Sequence, residues 1–325
     1  PRLARLPLAD SSSNIMAAPV PVQLPGWLPS RRILGGYYVI RQIGGGNVGT
    51  VFVVKRAEAR HDNDAERFAL KVPEYNATAA RTMSEGEFLK LFREEAGALL
   101  AIPDHPNIAR FVTFDAGAKP KPILVMDLIE GVSAERIINT RSLVMDRALR
   151  MLDDTLAGLG AMHSAGIAHL DVKPSNTVLR DSDGAAVLVD FGLAGRKLRP
   201  GCATLCYGAP EIWEGVENAN ETAGALAADV YAFGCFAYEV MTGLTLFDGT
   251  SDVAIIAGHI QHDGLPPGVA ALASHPQFEP FAMFLHQCLR HEPSQRASIA
   301  QLRKELGQVR PSLDPLPWPL SAHAE

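Results

Sequence analysis

The chain has 325 residues, 47% of them hydrophobic and 20% charged, enough for a buried core in one large domain or two lobes. Its formal net charge of −6 gives no electrostatic case for binding nucleic acid or inserting at an anionic membrane surface. Four scattered cysteines (Cys202, Cys206, Cys235, Cys288) do not make a disulfide framework, so a cytoplasmic or cytosol-facing setting is expected.

Residues 1–36 carry six prolines and the run Ser11-Ser12-Ser13, and read as an extended or disordered arm. Three short β-rich segments follow: Tyr37-Tyr38-Val39-Ile40, Val51-Phe52-Val53-Val54 and Phe68-Ala69-Leu70-Lys71-Val72. A helix starts at Ser84, with Glu87 completing a capping box, and Phe88, Phe92 and Leu99 fall on one face. Ile123 to Met126 reads as another strand. After Gly131 the pattern turns helical, with Leu149, Leu152, Leu156, Leu159 and Met162 at 3–4 spacing. A hairpin around Asp183-Gly184 interrupts it. Val230 to Val240 is too short an apolar run to span a membrane and reads as a core helix. A Pro-rich tail, 309–325, closes the chain. The coarse picture is α+β: a small, mostly β lobe followed by a larger, mostly helical lobe.

Gly44-Gly45-Gly46-Asn47-Val48-Gly49-Thr50-Val51 has G-x-G-x-x-G-x-V spacing between two strands. Glycines at 44, 46 and 49 let backbone amides approach phosphate oxygens with no Cβ in the way, although a plain flexible hairpin would look the same. A dinucleotide fold is disfavoured because a strand, not a helix, follows the glycines. Lys71 shares a strand face with Ala69, and an ammonium among apolar neighbours needs an anionic partner unless it snorkels from a strand edge. Glu95, on the Phe88–Phe92–Leu99 face, is the chosen partner; a solvated carboxylate at the stripe's margin is the alternative. Asp171, Asn176 and Asp190 bracket the hairpin and can converge at one end of it. Such oxygen donors suit Mg²⁺, which binds a few carboxylate or amide oxygens plus phosphates.

His169-Leu170-Asp171-Val172-Lys173-Pro174-Ser175-Asn176 and Asp190-Phe191-Gly192, with the glycine loop, resemble the eukaryotic-type Ser/Thr protein kinase family from about Tyr37 to Gln308. Ala209-Pro210-Glu211, Asp229 and Arg296 also resemble its activation-segment end, catalytic-loop anchor and buried Arg partner. The resemblance implies a bilobal kinase fold, with a small antiparallel β lobe (37–126) carrying one key helix, a hinge (127–131) and a larger, mostly helical lobe (132–308), and with ATP and Mg²⁺ (Mn²⁺ as the alternative metal) and a protein substrate. Gly44, Gly46 and Gly49 would cover the phosphates. Lys71, held by Glu95, would contact them, and Asn176 and Asp190 would bind the metal. Asp171 would accept the substrate proton, and Lys173 would neutralise developing charge. Val51, Ala69 and Val178 would sandwich adenine, with Met126 as gatekeeper and Asp127 to Ile129 as hinge. Leu99, Phe111, His169 and Phe191 would form the column joining the lobes. Lys173 and Thr204 resemble the Ser/Thr branch. Two other readings are a pseudokinase acting as a regulatory nucleotide-binding module and a small-molecule phosphotransferase.

The chain departs from the pattern at Leu170, where an Arg ordinarily receives an activation-loop phosphate. With no Ser between Asp190 and Glu211, loop phosphorylation is not expected to be the main switch. Asn47-Val48 replaces the usual aromatic loop tip, and Pro103-Asp104 lengthens the turn before His105. Cys202 and Cys206 read as small packing residues rather than a zinc or redox site. The ten histidines offer no second site. The sequence names neither the protein substrate nor the oligomeric state.

Overall fold

The computed structural model describes residues 24–46, 49–75, 79–82, 84–191, 194, 204–215 and 222–321. The chain opens with strands β1 (Ile33–Leu34), β2 (Tyr37–Gly46), β3 (Gly49–Arg56) and β4 (Arg67–Pro73). Helices α1 (Ala79–Thr82) and α2 (Glu85–Leu99) and strands β5 (Phe111–Asp115) and β6 (Ile123–Asp127) follow. These strands make one antiparallel sheet in the order β1-β2-β3-β4-β6-β5. The capping box forms as expected, Ser84 N donating to Glu87 Oε2 at 2.8 Å and Glu87 N to Ser84 Oγ at 3.3 Å. Strand β5 and the one-turn α1 were not anticipated.

Strand alternation divides this lobe's side chains between two cores. Leu70, Val72, Ile123 and Val125 face the outer cluster, with Phe52 and Phe68. Ala69, Leu124 and Met126 face the other way, into the core shared with the second lobe. The register pairs Lys71 with Val51 and with Leu124, and Ala69 with Met126. Four of the expected site residues therefore share one concave face before any loop is considered.

The second lobe begins with β7 (Gly131–Ser133), α3 (Ala134–Asn139) and α4 (Met145–Ser164). The hairpin β8 (Thr177–Arg180) and β9 (Ala186–Leu188) follows, then α5 (Pro210–Glu214) and α6 (Thr222–Thr242). Helices α7 (Asp252–Ile260), α8 (Pro267–Ala273), α9 (Glu279–Cys288) and α10 (Ile299–Leu313) complete it. Strands β7, β8 and β9 form a small antiparallel sheet, and Gly184 makes the hairpin turn at φ +71°, where a Cβ would be strained. Helix α6 is buried nearly all round, which explains a largely apolar sequence broken only by Thr222, Asp229, Glu239 and Thr242 among its charged and hydroxyl-bearing aliphatic residues. Among the described residues no helix is long and apolar enough to cross a membrane.

Both Pro-rich ends require correction. The arm was expected to run through residue 36, but within 24–36 Leu34 is fully buried and Trp27 stacks edge-on against Phe52 (6.0 Å). Trp27 also donates to Glu74 (3.1 Å). Residues 1–23 lie outside the described part. The tail was expected from residue 309, but α10 continues to Leu313 with Pro311 in its last turn. Beyond it Leu320 is buried, and Trp318 Nε1 donates to the Val240 carbonyl at 2.7 Å. For 24–36 and 309–321 proline content was the wrong guide, because apolar residues between the prolines bury their surface there.

Candidate active site

Between the lobes lies a cavity of about 280 Å³. Gly44, Val51, Ala69, Lys71, Met126, Asp127, Ile129, Asn176, Val178 and Asp190, all expected on sequence grounds, line it. Leu128, inside the expected hinge, lines it too, while sequence reasoning missed Ile43, Ser175 and Val189. Each is the chain neighbour of an expected residue, which was the available signal. Asp127 lines the slot while its carboxylate is held by Arg110, 3.1 Å to each oxygen.

The glycine loop is described only in part. Its tip, Asn47-Val48, lies outside the described residues. At Gly49 a Cβ would collide with the Val72 carbonyl, so glycine there is required by the β3–β4 approach itself. At Gly44 a Cβ would meet only Val51, at an ordinary 3.7 Å, so the protein's own packing does not demand glycine there.

Lys71 is buried, and its ammonium donates to Asp190 Oδ1 at 2.9 Å. This charge-assisted contact joins a strand of the first lobe to the end of the β8–β9 hairpin. The Glu95 backbone sits in α2, but its side chain lies outside the described part, so the expected Lys71–Glu95 pair is neither met nor refuted. Asp190 adopts φ +58°, a left-handed conformation costing a non-glycine residue about 1–2 kcal/mol. Strain of this kind persists where surroundings over-determine the backbone.

Asp171 is held by hydrogen bonds from three side chains. Lys173 Nζ donates to both of its oxygens (2.9 and 2.8 Å), Thr204 Oγ1 to Oδ1 (2.7 Å) and Asn176 Nδ2 to Oδ2 (2.7 Å). Lys173 also donates to Thr204 Oγ1 at 2.8 Å. With the nitrogen end of Asn176 committed to Asp171, its carbonyl oxygen is the end available to a cation. Among the described residues no three His, Cys, Asp or Glu side chains cluster around a metal position. The oxygens of Asn176 and Asp190, which line the slot, are of the kind that a divalent cation takes together with phosphate oxygens and water.

The loop carrying Asp171 is held from below. Asp229 is wholly buried in α6 and accepts from His169 N and Leu170 N at 2.7 Å each, with His163 Nε2 at 2.9 Å. These bonds satisfy a carboxylate that would otherwise be expensive to bury, and they fix Leu170 at φ +63°. The buried His169 packs on Phe191 at 5.3 Å; Phe191 and Leu99 belong to the shared core, and the half-buried Phe111 packs against it. Asn107 of the His105 turn donates to the Ala186 carbonyl (2.8 Å), docking that turn on β9.

Glu211 and Arg296 form a buried bidentate pair, 2.7 Å on each arm. Tyr207 donates to Glu239 at 2.6 Å, and burial pushes both the phenol and the carboxyl up from their ordinary values. Burial likewise pushes the Cys206 thiol up, the opposite of an activated thiolate. Its expected companion Cys202 and the glycine of Asp190-Phe191-Gly192 lie outside the described residues.

An apolar slot with a buried ammonium and two oxygen donors at its walls, near a carboxylate held by four hydrogen bonds, is a cleft of the protein-kinase class. A family model described as the protein kinase domain matches residues 37–306, and the chain belongs to that family. It is similar to the probable serine/threonine-protein kinase pknA2 of Bifidobacterium longum, at 29% identity over 306 residues, covering 91% of this chain and 38% of the relative. It is also similar to the serine/threonine-protein kinase PkaB of Streptomyces coelicolor, at 30% over 302 residues, covering 87% and 65%. A third relative is the serine/threonine-protein kinase PknB of Mycolicibacterium smegmatis, at 29% over 234 residues, covering 68% and 36%. The chain thus spans from about a third to two thirds of the length of the curated relatives it matches.

Proposed function

We propose that this chain transfers the γ-phosphoryl group of ATP to serine or threonine hydroxyls of other proteins. The observation that carries the reading is the Lys71–Asp190 contact at 2.9 Å in a slot that Asn176 also lines. The apolar faces of Val51, Ala69 and Val178 would take the adenine, and Lys71 the α and β phosphates. Asp190 and Asn176 would hold a divalent cation, Mg²⁺ in preference to Mn²⁺, which supplies charge neutralisation at the phosphate oxygens. The acceptor hydroxyl oxygen would bond to the γ phosphorus as the bond to the β-phosphate oxygen breaks. ADP would keep that electron pair, and Asp171 would take the hydroxyl proton. Lys173 would balance charge on the transferred group.

Thr204 and Lys173, both bonded to Asp171, support an aliphatic hydroxyl acceptor. The buried Glu211–Arg296 pair shapes the segment on which a polypeptide would lie, and so favours protein over small-molecule substrates. We place this activity in the cytosol, in this chain alone or in a longer protein. Incubation with radiolabelled ATP and Mg²⁺, followed by mass spectrometry, tests the reading. Wild type should yield phosphoserine or phosphothreonine, and Asp171→Asn should incorporate about 10²-fold less or lower still. Equal incorporation by both would favour a regulatory module instead.

A further inference from the structure

Two histidines that no part of the reaction uses lie beneath the segment carrying Thr204. His259 of α7 is fully buried, with Nε2 3.0 Å from the Leu205 carbonyl oxygen and Nδ1 3.0 Å from the Tyr231 hydroxyl. The same hydroxyl lies 3.1 Å from His262 Nε2, and His262 Nδ1 accepts from Gly264 N at 3.0 Å.

These contacts admit one proton order when both rings are neutral. A carbonyl can only accept, so His259 carries its proton on Nε2 and leaves Nδ1 as an acceptor. An amide N–H can only donate, so His262 accepts at Nδ1 and carries its proton on Nε2. Tyr231 therefore accepts from His262 and donates to His259, which donates to Leu205. Every donor and acceptor in the chain is used once, in one direction, ending on a backbone oxygen one residue from Thr204.

We infer that His259, oriented by Tyr231 and His262, is a positioning residue that holds the Thr204 turn against Asp171 without a phosphate. The turn is closed by Tyr207 N donating to Thr204 O (2.9 Å) and is pinned at Thr204 to Asp171, at Leu205 to His259 and at Tyr207 to Glu239. Leu170, buried and apolar beside Asp171, offers no cation to a phosphate. The fixing that an Arg–phosphate pair would supply from above comes from α6 and α7 below. Tyr231 also lies under the Arg296 guanidinium (5.0 Å to the ring centre). The same side chain thus links the Glu211 anchor to the Thr204 turn. This inference rests on the kinase reading above and adds to it the element that keeps the acceptor side in shape.

The test uses the full chain with dephosphorylated casein as acceptor probe, measuring acceptor and ATP kinetics separately. His259→Leu, which keeps bulk but loses the donor, should lower kcat/KM for casein about tenfold, the worth of one hydrogen bond to a positioned group. Binding of a fluorescent ATP analogue should stay within about twofold, since His259 does not line the nucleotide slot. His259→Gln, which keeps an N–H near the Nε2 position, should recover most of the loss. Should His259→Leu fail to fold, Tyr231→Phe, which keeps the ring over Arg296 and removes only the hydroxyl, should shift casein kinetics in the same direction. Phosphatase-treated wild type should remain active. An unaffected casein kcat/KM, an equal loss of nucleotide affinity, a Gln variant no better than Leu, or a phosphate requirement would each overturn the inference. Inactive wild type would instead overturn the kinase reading itself.

Discussion

Lys71 and Asp190 stand 119 residues apart in the chain, and their side chains meet at 2.9 Å. One is buried on a strand whose alternate residues fill the outer core; the other ends a hairpin docked on the helical lobe. A buried ammonium and a carboxylate facing the same slot are matched to a ligand carrying many negative oxygens and a divalent cation.

Replacing Lys71 by Met should therefore leave the fold intact and reduce phosphoryl transfer by about 10²-fold or more, the scale lost when one preorganised charge is removed from a transition state. Asp190→Asn should do the same and raise the Mg²⁺ concentration needed for half-maximal rate. Steady-state rates against ATP and Mg²⁺, with circular dichroism as the folding control, check both. Losses under about threefold would remove these residues from the proposed chemistry.

The Glu211–Arg296 pair predicts a stability effect. Both groups are nearly inaccessible, at 4% and 8% exposure. Arg296→Ala would strand a buried carboxylate and strip the cation from the Tyr231 ring, so urea unfolding should show a loss of about 3–5 kcal/mol. The double variant Arg296→Met, Glu211→Leu should recover a substantial part, because no uncompensated charge is left. A single variant as stable as wild type would show that the pair is not needed.

Burial lowers both His259 and His262 to about 4. A histidine in the unfolded chain titrates near 6.5, so between those values the unfolded state binds protons that the folded state refuses. Stability from these groups is fully present above about pH 6.5 and falls as pH drops from there toward 4. For the fully buried His259 the loss is on the order of 3 kcal/mol by pH 4, and less for the more accessible His262. Melting temperature should decline between pH 7.5 and 5, and His259→Gln should flatten that decline. An unchanged slope in the variant would exclude this source.

Much of the site was readable from the chain alone. Asp171, Lys173 and Asn176 sit within six residues, where local geometry leaves little freedom, and the hairpin that follows returns Asp190 to the same end. Strand period placed Lys71 with Ala69. Asp229 and Arg296 were legible only through resemblance, since a lone Asp in an apolar helix does not announce which amides it receives. The His259–Tyr231–His262 chain was invisible, because it depends on how α6, α7 and the Thr204 turn pack together. The two ends were misjudged for a related reason: proline count describes backbone stiffness, whereas order depended on where Trp27, Trp318 and Leu320 found a surface.

Trp318 has a practical meaning for anyone defining the unit that folds. The family match ends at 306, but the indole caps the Val240 carbonyl near the end of α6, and the Leu320 amide caps that of Met241. A protein shortened to the matched boundary would leave two backbone oxygens without their donors and open a greasy furrow on the helix that carries Asp229. The frontier recognised by sequence similarity therefore falls short of the one the folded molecule uses.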